Sequence, residues 1–224
     1  MASISVIVPA LNEREQLPAN LEALTRDSAF SELIVVDGGS TDGTQDLVLA
    51  QERVQLLSGE RGRGRQMNAG AAEAKGDWLL FHHADSLLPA DAGAAIAALP
   101  DEVCWGGFLH RFSHGNWKLS FISALHNFRC RRTGVIYGDQ SMFVRRDFFW
   151  SLGGFAEEGI EDLLFSDVAL ERAPSQLLDL EVTTDSRKFR QLGEFRALAH
   201  VLSIIVRYQR ERRIGNERFF ENYR

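Results

Sequence analysis

Short apolar runs alternate with helical patterns over the first hundred residues, and this alternation constrains the fold more than any other feature. The runs are rich in β-branched and bulky apolar residues and end at turn residues, as buried strands do. Between them, Leu17, Leu21 and Leu24 recur at the spacing of one helix face. Strands that alternate with helices favour a parallel sheet covered by helices. The expected strands are 3–8, 32–36, 54–57 and 77–81, with helices beginning near residues 17, 44 and 67.

The rest of the chain is less regular. The first strand is expected to end at Pro9, because proline has no N–H to donate to a central ladder. No linker or internal repeat divides the chain, so residues 1–224 are expected to form one Rossmann-like α/β domain with a mostly parallel sheet. The later strands are expected at 103–112, 141–144 and 177–182, and the later helices at 117–128, 161–171 and 195–212.

Composition excludes several classes of protein. The 224 residues are 45% hydrophobic and 25% charged, which is typical of a globular domain rather than a disordered or coiled-coil chain. The formal net charge of −6 argues against a general nucleic-acid-binding protein, so no nucleic-acid partner is expected. No apolar run reaches the roughly 18 residues of a membrane span, and the run at 4–11 lacks the cationic segment of a signal peptide. Cys104 and Cys130 stand outside any C-x-x-C pattern, which predicts a reduced, cytoplasmic protein.

Polar residues follow each of the first four strands, at the sheet edge where open α/β sheets bind ligands. Asp37 directly follows the second strand, where it can accept a hydrogen bond from a nucleotide base or ribose. A turn or helix-cap aspartate is the alternative interpretation of the same position. Ser40, Thr41 and Asp42 are interpreted as helix caps, because a helix must begin there.

Arginine and glycine alternate after the third strand. Arg61, Arg63 and Arg65 can pair with phosphate oxygens, and the glycines between them let the backbone approach an anion. An exposed, solvated arginine loop is the alternative interpretation. The common phosphate-binding patterns are missing from the sequence, since it has no G-x-x-x-x-G-K-[ST] and no G-x-G-x-x-G after the first strand.

An imidazole and a carboxylate stand two residues apart after the fourth strand. In extended geometry His83 and Asp85 share one face, whereas His82 faces the other side and is interpreted as structural. Magnesium needs few protein ligands because it keeps waters and substrate oxygens, and manganese also accepts imidazole. The segment therefore suits a divalent cation, although a lone histidine is more often structural.

Short motifs stand in a fixed order along the chain: P-A-L-N-E at 9–13, V-V-D-G-G-S-T-D-G-T at 35–44, R-G-R-G-R-Q-M-N-A-G at 61–70, H-A-D at 83–85, G-D-Q at 138–140, G-G-F at 153–155 and E-D at 161–162. Together they resemble family 2 glycosyltransferases with the GT-A fold, over about residues 3–172. The H-A-D and G-D-Q motifs are most similar to those of the subgroup associated in genomes with radical-SAM and selenium-related domains.

The resemblance implies a nucleotide-diphospho-sugar donor with uridine as the expected base, a divalent cation (Mn²⁺ or Mg²⁺), and inversion at the anomeric carbon. It makes residues 1–100 the donor-binding half and 101–224 the acceptor half. Asp162 becomes the catalytic base, Asp85 the metal ligand, and His83 a second or outer metal ligand. The substrate-binding residues that it implies are Pro9, Leu11, Glu13, Asp37, Arg61 or Arg65, Asp139, Gln140 and Glu161.

The sequence departs from the family pattern at three positions. His83 replaces the first aspartate of the usual D-x-D, which weakens metal affinity or changes the preferred metal. Gly38 replaces the second aspartate after strand two, and Leu11 stands where some members stack an aromatic ring on the base. The position of Glu161 and Asp162 alone also allows both to be first-turn acids that stabilise a helix dipole.

Two other functions compete with the glycosyltransferase interpretation. A sugar-phosphate nucleotidyltransferase shares the architecture but needs a glycine-rich basic loop after strand one, where this chain has P-A-L-N-E. A degenerate nucleotide-sugar-binding module without catalysis is the second alternative.

The acceptor and the oligomeric state stay open. The helix expected at 195–212 has an apolar face bordered by arginines, which suits contact with the inner face of a membrane and a lipid-linked acceptor. A helix that closes the core or forms a dimer interface is the favoured interpretation of that segment. The aromatic and histidine side chains of the second half fit core packing as well as sugar stacking; they are Trp105, His110, Trp117, His126 and Tyr137.

Overall fold

The computed structural model describes residues 2–113 and 116–186. The strands are β1 (Ile4–Ala10), β2 (Phe30–Asp37), β3 (Val54–Ser58), β4 (Trp78–Phe81), β5 (Ser86–Leu87), β6 (Trp105–Phe112), β7 (Met142–Arg145) and β8 (Gln176–Thr184). The helices are α1 (Leu17–Arg26), α2 (Thr44–Leu49), α3 (Arg63–Glu73), α4 (Ala92–Ala97), α5 (Trp117–Thr133), α6 (Arg146–Ser151) and α7 (Glu161–Leu170), with a 3-10 turn at Gly138–Gln140. The helix expected at 195–212 lies outside the described residues.

These strands form one sheet in the order β3-β2-β1-β4-β7-β6-β8-β5. Neighbours among β1 to β4 run parallel, as do β6 and β8, whereas β7 is antiparallel to both β4 and β6. The expected α/β class with a mostly parallel sheet is thus confirmed. Because β4 and β6 both oppose β7, their carboxyl ends meet at the same edge as those of β1 and β2.

Apolar side chains cover both faces of the sheet. On β1, Ile4, Val6 and Val8 point to the face packed by α1 and α4, while Ile7 points to the other face. The second face is packed by α3, α6 and α7, through residues such as Phe149. The sheet is therefore buried between two helical layers, and its polar loops collect at the strand ends.

Proline does not end the first strand. Pro9 lies inside β1, in register with Val36 of β2, so the expected end of the strand was wrong. The N–H of His82 donates to the carbonyl of Ile7, so the backbone polar groups of Ile7 point toward β4. Because the backbone polar groups alternate in direction along a strand, those of every second residue point toward the same neighbour. Pro9 also faces β4, but β4 ends at Phe81, so no ladder bond is lost through its missing N–H.

Helices α1, α2, α5 and α7 begin where they were expected, but the cap of α2 and the start of α3 differ from expectation. Gly43, with φ of 89°, occupies the N-cap of α2, so none of Ser40, Thr41 and Asp42 is its cap residue. The helix α3 begins at Arg63, inside the arginine–glycine segment that was expected to be a loop. Within the described residues, no helix is both long and apolar enough to cross a membrane.

Candidate functional site

A cleft of about 300 Å³ opens at the carboxyl-end edge, beside the ends of β1 and β4. It gathers segments that are far apart in the sequence: the loop after β1, the start of α3 and the loop after β4. Six of the residues expected at the site line it, namely Pro9, Leu11, Glu13, Arg61, His83 and Asp85. Its other lining residues are Ala10, Gly62, Arg63, Gln66 and Ala84.

Hydrogen bonds connect the loop after β1 to the loop after β2. Asn12 has a left-handed backbone with φ of 57°, and its side-chain oxygen accepts the N–H of Thr41 at 2.9 Å. The N–H of Asn12 donates to Oγ of Ser40 at 2.8 Å. The N–H of Arg14 donates to the carboxylate of Asp42 at 3.1 Å. Ser40 and Thr41 therefore position the P-A-L-N-E loop. Asp42 contacts this loop as well, and it also accepts the N–H of Thr44, the first residue of α2, at 3.0 Å.

Asp37 is the last residue of β2, and its carboxylate is completely buried. Its two oxygens differ in their hydrogen bonds. Oδ2 accepts the N–H groups of Gly39 and Ser40 at 2.9 and 3.0 Å and Nε2 of Gln45 at 2.6 Å. Oδ1 is also buried, and within the described structure it has no hydrogen-bond partner. Burial raises the pKa of Asp37, but the bonds from Ser40, Gln45 and Gly39 outweigh it and lower the pKa overall. Oδ2 thus forms the turn, whereas Oδ1 has no partner among the described residues, and Asp37 is not among the residues that line the cleft.

The first turn of α3 carries arginines that face acidic side chains. Nε of Arg63 lies 2.9 Å from a carboxylate oxygen of Glu161. Arg65 lies 3.0 Å from Glu60 and 3.2 Å from Glu157. Cations at a helix N-terminus oppose the helix dipole, and these acids offset that cost.

Arg61 differs from the other two arginines. It is exposed, it lines the cleft one residue before the N-cap Gly62, and it forms no ion pair within the described part of the chain. Of the two arginines expected to reach a diphosphate, Arg61 thus faces the cleft, whereas Arg65 is held by acids.

The H-A-D segment is a turn rather than an extension of β4. The N–H of Ser86 donates to the carbonyl of His83 at 3.2 Å, so the expected extended geometry was wrong. A buried amide holds this turn, because Nδ2 of Asn20 donates to the carbonyls of His83 and Ser86 at 3.0 and 2.6 Å. His82 is buried, lies 2.7 Å from Oγ of Ser141, and has its pKa lowered by burial to about 3. The structural role expected of His82 is confirmed.

The turn still brings His83 and Asp85 to the same cleft. Burial lowers the pKa of His83, and Arg63 lowers it further, although Asp85, Asp162 and Asp139 oppose both effects. The imidazole is therefore neutral near pH 7, which is the form that binds metal. No group of three or more His, Cys, Asp or Glu side chains within the described residues is arranged to hold a metal. One carboxylate and one imidazole fit a cation that takes its other ligands from a diphosphate and water.

Gly138 brings the H-A-D turn against the start of α7. A methyl group added to Gly138 would lie 2.7 Å from Nε2 of His83 and 3.3 Å from Oδ2 of Asp162. Oδ2 of Asp162 accepts the N–H of Gly138, and Oδ1 accepts the N–H of Leu163 at 2.7 Å. The residue expected as catalytic base thus lies beside the residues expected to bind metal. Its neighbour Glu161 is buried against Arg63.

The other two residues of the G-D-Q motif, Asp139 and Gln140, are not among the residues that line the cleft. Gln140 is buried, with Nε2 donating to the carbonyl of Phe108 at 3.0 Å and Oε1 accepting the N–H of Tyr137 at 3.1 Å. Asp139 lies 3.8 Å from Nε2 of His110 and 3.6 Å from Nε2 of His126.

A second and larger pocket, of about 660 Å³, lies between β6, β8 and α5. His110 forms part of its wall and is 3.2 Å from Ser123, which also lines it. Most other lining groups are polar, and they include Ser113, Asn127 and Thr183. Since β6 ends at the same sheet edge as β1 and β4, this pocket and the cleft lie along one edge.

Sequence reasoning missed three positioning residues. Asn20 had a readable signal, because it occupies the buried helix stripe of Leu17, Leu21 and Leu24 yet is polar. Gln66 donates to the carbonyls of Ala10 and Val36 at 2.9 and 2.7 Å, which ties α3 to β1 and β2. Gly138 carried no signal beyond its motif, since its neighbours come from distant segments.

Comparison with known proteins identifies relatives in sequence. Residues 5–153 match the family model described as Glycosyl transferase family 2. A PGL/p-HBAD biosynthesis glycosyltransferase of Mycobacterium bovis is 33% identical over 164 residues, which cover 67% of this chain and 62% of that protein. An undecaprenyl-phosphate 4-deoxy-4-formamido-L-arabinose transferase of Aeromonas hydrophila is 29% identical over 158 residues, covering 63% of this chain and 48% of that protein. The match thus spans less than two thirds of either relative.

Solved structures share the fold. Glucosyl-3-phosphoglycerate synthase from Mycobacterium tuberculosis, in complex with Mn²⁺, uridine diphosphate and phosphoglyceric acid, has a TM-score of 0.60 and 19% identity. The likeness covers 82% of this chain and 69% of that one. The fold is therefore GT-A-like, with a mostly parallel central sheet flanked by helices.

Proposed function

Because this chain belongs to glycosyl transferase family 2, we propose that it moves a sugar from a uridine-diphospho-sugar to an acceptor hydroxyl, with inversion at the anomeric carbon. The observation that carries the proposal is the meeting of three motifs at one cleft, with a fourth motif next to one of them. The P-A-L-N-E loop, the arginine–glycine segment and the H-A-D turn line it, and Asp162 of the E-D motif touches Gly138 beside His83. The H-A-D and G-D-Q motifs support the radical-SAM and selenodomain-associated subgroup as its place within the family.

In this proposal the donor is bound at its base and at its diphosphate. Oδ1 of Asp37, which has no hydrogen-bond partner among the described residues, accepts the imide N–H of a uracil base. The P-A-L-N-E backbone forms the adjoining wall. Arg61 and the first N–H groups of α3 face the diphosphate, because a helix N-terminus and a guanidinium both favour anions.

A divalent cation would be held by Asp85, with His83 as second ligand. When bound, such a cation offsets the negative charge of the diphosphate leaving group. The neutral imidazole and the carboxylate supply the oxygen and nitrogen donors that Mn²⁺ accepts.

Asp162 serves as the base. An acceptor hydroxyl ionises too weakly at neutral pH to attack unaided, so a carboxylate must take its proton during the attack. Asp162 lies in the first turn of α7, where Gly138 brings it beside His83. The pocket between β6, β8 and α5 is our candidate for the acceptor site, since it lies along the same edge.

Three broader features belong to the proposal. The pairing of β5 with β8 supports one domain over residues 1–224, because it joins the donor-binding half to the acceptor half. Cys104 and Cys130 are not bonded to each other, which is consistent with a cytoplasmic, reducing location. A lipid-linked acceptor is supported by the undecaprenyl-phosphate transferase among the relatives.

Nucleoside diphosphate release from a panel of UDP- and GDP-sugars, with Mn²⁺, Mg²⁺ or a chelator, tests the activity. The proposal expects UDP to be released from at least one donor once an acceptor extract is added. Pyrophosphate as product would indicate a nucleotidyltransferase instead. Donor binding with neither product would indicate a binding module.

Variants of the H-A-D turn test the metal assignment. Asp85→Asn should abolish metal-dependent release, and His83→Ala should have a smaller or metal-specific effect. Asp179→Asn is the matched control, because Asp179 is exposed on β8, outside the residues that line the cleft. Full turnover in the presence of a chelator would contradict both assignments.

A further inference from the structure

Helix α5 exposes a row of large apolar side chains to solvent. Trp117, Phe121, Leu125 and Phe128 are 75%, 62%, 42% and 63% exposed. Their spacing places them on one side of the helix, since residues three and four apart are neighbours on its surface. We call these four residues the α5 stripe. Single exposed apolar residues are common, but a continuous aromatic row is a feature of interaction surfaces.

The charge of α5 is opposite in sign to that of the chain. Its sequence contains Lys118, Arg129, Arg131 and Arg132 and no acidic residue, whereas the chain has a net charge of −6. Arg131 and Arg132 lie in the last turn, at the Phe128 end of the stripe, and Lys118 lies at the Trp117 end. Cationic side chains thus occur at both ends of the apolar row.

The opposite side of α5 belongs to the site. His126 lies 3.6 Å from Asp139, and Ser123 lies 3.2 Å from His110 in the wall of the second pocket. A helix with its side chains is about 10–12 Å across. Whatever covers the α5 stripe therefore lies one helix diameter from the proposed acceptor pocket.

We propose that the α5 stripe docks on an anionic lipid surface, with its aromatic side chains in the headgroup region. Cations at the ends of the row, above all Arg132, would then lie against lipid phosphates, whereas Arg131 lies 3.1 Å from Asp179. Apolar and cationic side chains on one helix match both the interior and the charge of such a surface. The catalytic consequence, delivery of a lipid-linked acceptor to the neighbouring pocket, rests on the proposed function. The docking itself does not depend on the proposed function.

Charge argues against two other partners for the α5 stripe, namely a second copy of the protein and residues 187–224. A second copy that packed stripe against stripe would bring two cationic helices together, which costs energy. Residues 187–224 carry ten lysine or arginine residues against four glutamates, so that segment is also cationic. An anionic surface is the complementary partner.

Vesicle flotation of the full-length protein tests the docking. The protein should float with vesicles that contain phosphatidylglycerol and stay behind with phosphatidylcholine alone. Phe121→Ser combined with Phe128→Ser should lower the bound fraction on the order of tenfold, and Arg132→Glu should also lower it. Leu49→Ser is the matched control, because Leu49 is 69% exposed on α2, outside the α5 stripe. Quenching of tryptophan fluorescence by brominated lipid should be lost in Trp117→Phe.

Several results would overturn the proposal. They are no flotation with anionic vesicles, an equal loss in Leu49→Ser, and a dimer that Phe121→Ser converts to a monomer. Loss of flotation through Arg207→Glu and Arg210→Glu, with the stripe variants unaffected, would move the anchor to the C-terminal segment. The proposed function is tested separately, by measuring whether a UDP-sugar donor raises the melting temperature of the protein. If no donor raises it while the protein still floats with anionic vesicles, the transferase proposal is contradicted and the docking proposal stands.

Discussion

At the scale of single residues, two adjacent carboxylates have different environments. Glu161 is buried against Arg63, and burial raises its pKa, with Asp162 adding to the rise and Arg63 opposing it. Asp162 is half-buried and accepts the N–H groups of Gly138 and Leu163, beside the H-A-D turn. In the proposed mechanism Asp162 is the residue that meets the acceptor, while Glu161 pairs with Arg63 and links α3 to α7.

Asp162→Asn should cost roughly a hundredfold or more in transfer rate, because the amide cannot take the acceptor proton. Donor affinity and the fold should be preserved, since the amide keeps the shape and one acceptor oxygen. Initial rates of transfer and calorimetric titration with the donor measure the two effects. Near-normal transfer by this variant, with Glu161→Gln inactive, would move the role to Glu161.

Asp37→Asn should weaken donor binding by about ten- to a hundredfold. The amide oxygen can keep the bonds from Gly39, Ser40 and Gln45, which turns the amide nitrogen toward the position of Oδ1. A donor then replaces an acceptor there, and a hydrogen bond to a charged group of about 1.5–3 kcal/mol is lost. Isothermal titration with UDP measures the change, and the melting temperature without ligand is the control. Unchanged affinity would exclude Asp37 from base recognition.

At the scale of secondary-structure elements, polar side chains fasten the loops that form the cleft. Asn68 on α3 donates to the carbonyl of Phe155 at 2.8 Å and accepts its N–H at 2.9 Å. Gly153 and Gly154 have φ of 86° and 76°, a left-handed conformation that favours glycine. The G-G-F motif thus turns the chain back over α3, and helix α1 holds the H-A-D turn in a similar way through Asn20.

Asn20→Leu should lower the free energy of unfolding by about 1–3 kcal/mol, because the buried carbonyl of Ser86 and the carbonyl of His83 lose the hydrogen bonds from its amide. Among the described residues, the Ser86 carbonyl then keeps only Nε2 of His82 as a partner. Activity should fall further than stability, since the same amide fixes the carbonyl of His83. Urea denaturation and turnover are the measurements. Glu22→Ala, on the exposed side of α1, is the matched control. Wild-type turnover in Asn20→Leu would show that the turn needs no such support.

At the scale of the whole molecule, buried histidines link stability to pH. Burial lowers the pKa of His82 to about 3 and that of His126 to about 4, the latter against the opposing charge of Asp139. In the unfolded chain these histidines have an ordinary pKa of about 6.5 and take up protons below that pH, whereas in the native protein they stay neutral to a lower pH. Stability that is present above about pH 6.5 is therefore lost as the pH falls toward 4. The raised pKa of Glu161 acts in the opposite direction.

His126→Gln should make this loss shallower, by up to about 1.4 kcal/mol per pH unit, because one proton-uptake difference is removed. Urea unfolding of both proteins between about pH 7 and 4.5 measures the slopes. Equal slopes in variant and wild type would mean that His126 is protonated in the native protein.

Much of the fold and of the site was readable from the sequence. The strands β1 to β4 and the helices between them follow from periodicity and turn residues, which are local properties. The residues after β1 to β4 were expected to meet because carboxyl ends of parallel strands share an edge. Leu11, Arg61 and Asp85 do line one cleft, whereas Asp37 is not among its lining residues. The short helices α4 and α6 and the strand β5 were not expected, since segments of two to six residues carry too little periodicity.

The sequence by itself thus determined the α/β class, the order of the main elements and which polar residues reach the ligand-binding edge. Only the tertiary structure decided that Pro9 stays within β1, that α3 starts at Arg63 and that Gly138 joins His83 to Asp162. Each of these depends on partners from distant parts of the chain: the early end of β4, the acids that accept the arginines, and the return of α7 beside the H-A-D turn. Local patterns contain no information about such partners, because the packing of the whole sheet brings them together.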